Sequence, residues 1–230
     1  GLARNIKQEV DNMFQGYWQT SIGLELKGKM LGLVGLGKIG TQMAIIAKAF
    51  GMQVSAWSEN LDLTHANKLG VLPMSKEDLL SNSDIISIHV PETNQTKNLI
   101  SKSVISQFKQ GSILINYARG EVVDLDALSK AIKDKKIGGA AIDVFPIEPE
   151  KNGDVFTTPL QGLANVMLTP HIGGSTEEAQ ENIGEDVSIK LYQYLERGVS
   201  YGSHTIPSIS LPPVENAHRI LHMHNNVPGV

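Results

Sequence analysis

Cysteine is absent from this chain of 230 residues, which excludes disulfide bonds and thiolate metal sites and fits a cytoplasmic location. Long apolar runs are missing too, so the sequence predicts neither a membrane-spanning helix nor a signal peptide. There is no excess of basic residues, since the formal net charge is −4, and this argues against nucleic acid as a partner. With 41% hydrophobic and 19% charged residues, the composition is that of an ordinary globular protein.

Short apolar stretches alternate with helical periodicities between residues 30 and 170. The stretches predicted as strands are MLGLV, MQVSAW, DIISIHV, GSILINYA, IGGAAIDVF and NVMLTP. This alternation indicates parallel β–α–β units, and therefore an α/β fold with a doubly wound parallel sheet. Amphipathic helices are predicted over 2–18 and from Thr176 to about Glu196, the second capped by Ser175. Ligands of such sheets bind beyond the carboxyl ends of the strands.

A glycine loop follows the first predicted strand. Gly35, Gly37 and Gly40 form the pattern G-x-G-x-x-G at the start of a helix. The first glycine permits a tight turn, the second lets the backbone approach a pyrophosphate, and the third lets helix and strand pack closely. The helix N-terminus adds unpaired amides that favour an anion. The loop predicts a dinucleotide ligand, with a tight turn that binds nothing as the alternative.

The second predicted strand should be followed by an acidic residue that binds the adenosine ribose. Ser58 and Glu59 occupy that place, so the usual aspartate is missing and Glu59 is the nearest carboxylate. No arginine lies nearby in the sequence to accept a 2′-phosphate, which favours NAD over NADP. The alternative is that Glu59 is a solvated loop carboxylate.

Three polar residues, Arg119, Glu148 and His171, come just after predicted strands, and the strand-end rule predicts that they converge on one cleft. A histidine can take a hydroxyl proton as a hydride leaves, and a carboxylate can orient its ring. An arginine can bind a substrate carboxylate. The combination fits oxidation of a 2-hydroxy acid. Singly, Arg119 could belong to a turn, Glu148 could be a solvated loop acid, and His171 could cap a loop.

Four motifs, GLVGLGKIG, INYARGEVVDLDAL, GGAAIDVFPIEP and LTPHIGGSTEEAQENIG, resemble those of the D-isomer-specific 2-hydroxyacid dehydrogenase family. The resemblance covers almost the whole chain. It implies that Arg119 binds substrate, that Glu148 is the carboxylate partner of His171, and that His171 is the proton donor. It also implies NAD as cofactor and oxidation of 3-phospho-D-glycerate to 3-phosphooxypyruvate, the first step of L-serine biosynthesis. Alternatives are a hydroxypyruvate, glyoxylate or 2-oxoglutarate reductase, and a non-catalytic dinucleotide-sensing protein.

The resemblance also implies cofactor contacts along the chain, and no metal site is expected. Asp143 would meet the nicotinamide amide, and Val90 and Pro91 would line the adenine side. The other predicted cofactor-binding residues are Gly35, Gly37, Lys38, Ile39, Gly40, Ser58, Glu59, Tyr117, Ala118, Arg119, His171, Gly173 and Gly174.

Five segments are predicted. They are a crossover helix with a dimer-type segment (1–22), the dinucleotide-binding domain (23–174), a return helix to a split substrate domain (175–200), a linker (201–216) and the start of a regulatory ACT-like domain (217–230). The chain does not begin with methionine, and the N-terminal part of the substrate domain is not within it. We therefore expect a segment of a longer protein that binds NAD but is a poor catalyst by itself.

Two further partners are predicted. Phe14, Tyr17 and Trp18 indicate a homodimer or homotetramer contact, and packing against their own domain is an equal alternative. In the ACT-like start, the resemblance places His224 and Asn226 where a related form binds serine, the pathway end product. The alternatives there are an ordinary strand face, or a weak metal site formed by His222 and His224 without an evident third ligand.

Overall fold

The computed structural model describes residues 1–203, 206–210, 212, 218, 220, 222, 224 and 227. These residues divide into two compact units, Gly1–Gly173 and Gly174–Val230. The first unit contains strands β1 (Met30–Val34), β2 (Gln53–Trp57), β3 (Leu72–Pro73), β4 (Ile85–Ile88), β5 (Ser112–Asn116), β6 (Ile137–Ile142) and β7 (Val166–Leu168). Its helices are α1 (Ile6–Phe14), α2 (Lys38–Ala49), α3 (Leu63–Leu69), α4 (Lys76–Asn82), α5 (Lys102–Ile105) and α6 (Leu125–Lys133), with 3₁₀ turns at Leu2–Arg4 and Gly120–Val122.

All seven strands form one parallel sheet in the order β3-β2-β1-β4-β5-β6-β7. Strand β1 pairs with β2 on one side and with β4 on the other, so the direction of winding reverses beside β1. The carboxyl ends of β1 and β4 therefore flank the crevice where sheets of this type bind ligands. The doubly wound parallel sheet predicted from the sequence is confirmed.

Helices cover both faces of the sheet because consecutive strand residues point to opposite sides. Leu33 of β1 belongs to an apolar cluster with Ala44 of α2, whereas the next residue, Val34, belongs to a second cluster with Leu128 of α6. The small Ala44 side chain is fully buried, which lets the glycine-loop helix approach the sheet closely. The glycine loop is thus anchored on a rigid core.

The N-terminal helix is shorter than the predicted span of 2–18. Asn5 has a left-handed backbone with φ 50°, which separates the 3₁₀ turn from α1, and α1 ends at Phe14. Gly16 follows with φ 83°. A residue in the left-handed region cannot continue a right-handed helix. The apolar spacing alone did not reveal either break, and the short α3, β3 and α5 were not predicted.

The second unit begins with α7 (Glu177–Arg197). Its N-cap is Thr176, whose hydroxyl accepts a 3.1 Å hydrogen bond from the Ala179 amide, so the prediction of Ser175 as cap was wrong by one residue. Gly198 closes the helix in a left-handed conformation with φ 59°. Asn226 and most of the ACT-like segment lie outside the described residues, and the strand predicted there stays a prediction. No helix among the described residues is long and apolar enough to cross a membrane.

Candidate functional site

The glycine loop turns sharply between β1 and α2. Gly35 has φ 101°, a conformation that side chains rarely adopt, and its amide donates a 2.8 Å hydrogen bond to the Trp57 carbonyl. A Cβ on Gly40 would collide with the carbonyl oxygen of Gly35. By contrast, a Cβ on Gly37 would have no neighbouring atom within 4 Å. The first and third glycines are therefore needed by the fold, and the second leaves open space where a pyrophosphate can approach the start of α2.

The loop that carries Arg119 is held by the last residue of β5. Asn116 is fully buried, and its side-chain amide donates a 2.9 Å hydrogen bond to the Arg119 carbonyl. Its side-chain oxygen accepts from the Ala118 amide at 3.1 Å. The exposed Arg119 guanidinium donates to the Ala118 carbonyl at 2.6 Å. Asn116 was not singled out in the sequence, although a polar residue at the end of an apolar strand is the signal that could have revealed it.

His171 and Glu148 form a direct pair. Nδ1 of His171 lies 2.8 Å from Oε2 of Glu148, and the other oxygen of Glu148 accepts a 2.9 Å hydrogen bond from the Phe145 amide. The carboxylate thus fixes the orientation of the ring and leaves Nε2 as the nitrogen that can exchange a proton with a substrate. Both carboxylate oxygens of Glu148 have partners, although 34% of its side chain is exposed, and this favours the pairing with His171 over a free loop acid.

The charge of Glu148 suits this role. Burial by itself raises the pKa of its carboxyl, but the hydrogen bonds from His171 and Phe145 and the attraction of a protonated His171 ring outweigh burial. The pKa therefore lies below its ordinary value, and Glu148 is ionised at neutral pH. An ionised carboxylate can accept the Nδ1 proton and so hold the ring in the orientation that leaves Nε2 facing outward for proton transfer.

Asp143, just after β6, organises the loop on which His171 sits. Its side chain is buried and accepts three hydrogen bonds, from the Thr169 hydroxyl at 2.5 Å, the Ile172 amide at 3.0 Å and the Gly173 amide at 3.2 Å. Its carbonyl accepts a 2.8 Å bond from the His171 amide. These bonds hold His171 with φ 51°, in the left-handed region. The predicted contact between Asp143 and the nicotinamide amide stays a prediction.

The three strand-end residues come from adjacent strands, since Arg119 follows β5, Glu148 follows β6 and His171 follows β7. Gly120 brings two of these loops together, because its α-carbon lies against the backbone of Phe145 and Pro146. A cavity of about 360 Å³ opens beside the His171–Glu148 pair. The strand-end rule thus places all three candidates at one edge of the sheet.

The other predicted cofactor residues are distributed along the same edge. Ser58 and Glu59 directly follow β2, with Ser58 half-buried and Glu59 exposed, and Val90 and Pro91 follow β4. Ile39 and Tyr117 are exposed, at 68% and 49%, and are accessible to a bound molecule. Gly174 differs from the rest because it belongs to the second unit. In the described part of the chain, no three His, Asp or Glu residues are grouped to hold a metal ion.

His89 lies under the glycine loop and was not identified from the sequence. Its amide donates a 2.8 Å hydrogen bond to the Val34 carbonyl, and its Nε2 lies 2.9 Å from the Ser87 hydroxyl. A Cβ on Gly35 would approach the His89 carbonyl oxygen to 2.7 Å. Burial lowers the pKa of the His89 ring to about 4. The ring is therefore neutral when the protein is folded near neutral pH.

This neutral histidine predicts an acid-sensitive stability. In the unfolded chain the His89 pKa returns to its ordinary value near 6.5, so the unfolded state binds a proton that the folded state excludes between pH 6.5 and about 4. Stability is therefore complete above pH 6.5 and falls as the pH drops, by at most about 3 kcal/mol from this group. Chemical denaturation at several pH values, with His89→Gln beside the unchanged chain, measures the effect. A variant whose pH dependence equals that of the unchanged chain would contradict it.

A seven-stranded parallel sheet with this order, a glycine loop after its first strand and a histidine–carboxylate pair at its carboxyl edge define a dinucleotide-binding oxidoreductase domain. The sequence profile described as "D-isomer specific 2-hydroxyacid dehydrogenase, NAD binding domain" matches residues 1–173. The chain belongs to this family. Its cofactor is NAD, and the open space at Gly37 fits a bound pyrophosphate.

Similar proteins include the D-3-phosphoglycerate dehydrogenases of Haemophilus influenzae, 48% identical, and of Escherichia coli, 45% identical, each over the whole chain and 56% of the relative. The chain thus spans about half the length of the curated relatives it matches. Among solved structures, a glyoxylate reductase from Paecilomyes thermophila has a TM-score of 0.78 at 30% identity, covering 86% of this chain and 59% of that one. A D-lactate dehydrogenase from Aquifex aeolicus, complexed with NAD and lactic acid, has a TM-score of 0.76 at 32% identity, covering 86% and 63%.

Proposed function

We propose that the protein containing this chain oxidises 3-phospho-D-glycerate to 3-phosphooxypyruvate with NAD, the first step of L-serine biosynthesis. The observation that carries the proposal is the 2.8 Å contact between His171 and an ionised Glu148 at the carboxyl edge of the sheet. Identities of 45–48% to D-3-phosphoglycerate dehydrogenases support the choice of substrate. The match to the family profile supports the chemistry.

In this proposal His171, Glu148, Arg119 and Asp143 have distinct roles in the reaction. Bound NAD would supply the acceptor for the hydride that leaves the carbon bearing the hydroxyl group, and the glycine loop would hold its pyrophosphate. His171 takes the hydroxyl proton at Nε2 while Glu148 holds the ring through Nδ1, so that one hydride and one proton leave the alcohol together. Arg119 binds the substrate carboxylate with its planar fork and stabilises the developing alkoxide. Asp143 holds the loop that carries His171 by accepting hydrogen bonds from the Ile172 and Gly173 amides.

Turnover by the longer protein and NADH binding by this chain test the proposal. We expect the chain to bind NADH in a calorimetric titration but to turn over poorly alone, since it spans only 56% of the phosphoglycerate dehydrogenases that it resembles. In the longer protein, His171→Asn should lower kcat about 10³-fold and leave NADH affinity within twofold, because the ring acts on the proton and not on the dinucleotide. The matched control is His65→Asn, which changes a histidine on α3 and should retain turnover.

A substrate panel separates the alternatives. The structural similarity to a glyoxylate reductase makes glyoxylate and hydroxypyruvate necessary members of that panel. Faster turnover of either than of the phosphorylated substrate would assign the protein to another branch of the family. NADH-dependent binding of a partner without any turnover would instead support a dinucleotide-sensing protein.

The proposal includes two partners. Homo-oligomer formation through the end of α1 and the segment after it is supported by exposed aromatic side chains, Phe14 at 90%, Tyr17 at 61% and Trp18 at 87%. Such exposure favours a contact surface over packing of the three side chains against their own domain. Sedimentation velocity would measure the assembly. Serine as effector at His224 and Asn226, and the cytoplasmic location, are proposals from the sequence.

A further inference from the structure

Lys76 lies at the adenosine end of the candidate cofactor site, although it is 18 residues from Ser58 in the sequence. Strand β3 pairs with β2 in parallel, so the residues that follow β3 lie at the same edge as those that follow β2. Lys76 is the first residue of α4, and Nζ of Lys76 lies 5.6 Å from the ring centroid of Trp57. Trp57 is the last residue of β2 and directly precedes Ser58.

The Lys76 ammonium lacks the partner that a partly buried cation usually has. Lys76 is half-buried, and among the described residues no carboxylate lies within 4.0 Å of its Nζ. The nearby Asp78 carboxylate accepts a hydrogen bond from the Ser75 hydroxyl instead. The Trp57 ring holds the cation by its negative face but does not neutralise it. An anion that binds beside Lys76 and Trp57 would therefore pair with a positive charge that is already positioned there.

The group that normally excludes such an anion is missing. In NAD-specific sheets an acidic residue after the second strand binds the ribose hydroxyls and repels a 2′-phosphate. Here a neutral Ser58 has that place, and the next carboxylate, Glu59, is exposed. The Lys76 cation thus lies 5.6 Å from the ring of Trp57, the residue just before Ser58, and the carboxylate that follows Ser58 is exposed to solvent.

We propose that Lys76 is a specificity-determining residue that gives this domain affinity for a 2′-phosphorylated dinucleotide in addition to NAD. The inference rests on the proposed cofactor site and adds a second ligand, NADPH, to it. The Lys76 ammonium contacts the 2′-phosphate, with Trp57 beneath the ammonium and Ser58 beside the ribose. For NADH the same lysine contributes little, because a 2′-hydroxyl carries no charge.

Calorimetric titration of the chain with NADH and NADPH, before and after Lys76→Gln, tests the inference. The unchanged chain should bind NADPH with a Kd within about tenfold of that for NADH. Lys76→Gln should raise the Kd for NADPH about tenfold and change that for NADH less than twofold. Lys68→Gln, on the exposed face of α3, removes the same charge and should leave both constants within twofold.

Three other results would overturn the inference. If NADH binds and NADPH does not, the space beside Lys76 and Ser58 excludes a 2′-phosphate. If Lys76→Gln and Lys68→Gln change the Kd for NADPH equally, the affinity depends only on the overall charge of the chain and not on the position of Lys76. If neither dinucleotide binds the unchanged chain, the proposed cofactor site fails and the inference fails with it. As a converse check, Ser58→Asp should weaken NADPH binding and strengthen NADH binding, because it restores the missing carboxylate.

Discussion

Replacing Asp143 by alanine is expected to lower the free energy of unfolding by about 3–5 kcal/mol and to release the loop that carries His171. The carboxylate is 2% exposed and accepts hydrogen bonds from Thr169, Ile172 and Gly173. Alanine leaves all three donors without this acceptor in a partly buried site, and each unsatisfied buried donor costs about 1–3 kcal/mol. The left-handed backbone of His171 then loses the contacts that maintain it.

The comparison with Asp143→Asn separates positioning from general damage to the core. Asparagine has the same shape, and its oxygen can still accept from Thr169 and Ile172, but its NH₂ group would face the Gly173 amide. We expect about half of the alanine effect in urea denaturation. Hydrogen exchange of the Ile172 and Gly173 amides should accelerate in both variants. Unchanged exchange in Asp143→Ala would show that other contacts hold the loop.

The sequence was sufficient for the fold and for the principal candidates of the site. Apolar strands alternating with helices predicted the parallel sheet, and the rule that ligands bind at carboxyl strand ends selected Arg119, Glu148 and His171. The fold prediction is confirmed because it depends on local patterns, whereas the roles of the three site residues stay predictions. The structure then placed His171 and Glu148 in direct contact.

What could not be predicted depends on contacts between distant segments. Asp143 and His171 are 28 residues apart, and only the paired ends of β6 and β7 reveal that the buried carboxylate holds the loop. The contact of Lys76 with the Trp57 ring could not be predicted either, because the pairing of β3 with β2 brings these two residues together. The prediction of the N-cap of α7 was wrong for a different reason. Ser175 and Thr176 are both good capping residues, and the sequence does not distinguish between them.

Gly120→Ala is expected to destabilise the first unit by about 3–5 kcal/mol and to move Arg119 away from the His171–Glu148 pair. Gly120 is buried, and a Cβ there would overlap the Phe145 carbonyl group and the Pro146 nitrogen. These are backbone atoms of the loop after β6, so no side chain can rotate to make room. The loops after β5 and β6 must separate, and with them the residues that would bind substrate and orient the histidine.

Gly184→Ala is the matched control because it adds the same methyl group in the interior of α7, where nothing lies within 4 Å of the new atom. There alanine should stabilise the helix by about 0.5–1 kcal/mol, the usual gain over glycine. Urea denaturation of the two variants should therefore give effects of opposite sign. If Gly120→Ala is as stable as the unchanged chain, the close approach of the two loops is not required, and Arg119 is positioned by Asn116 alone.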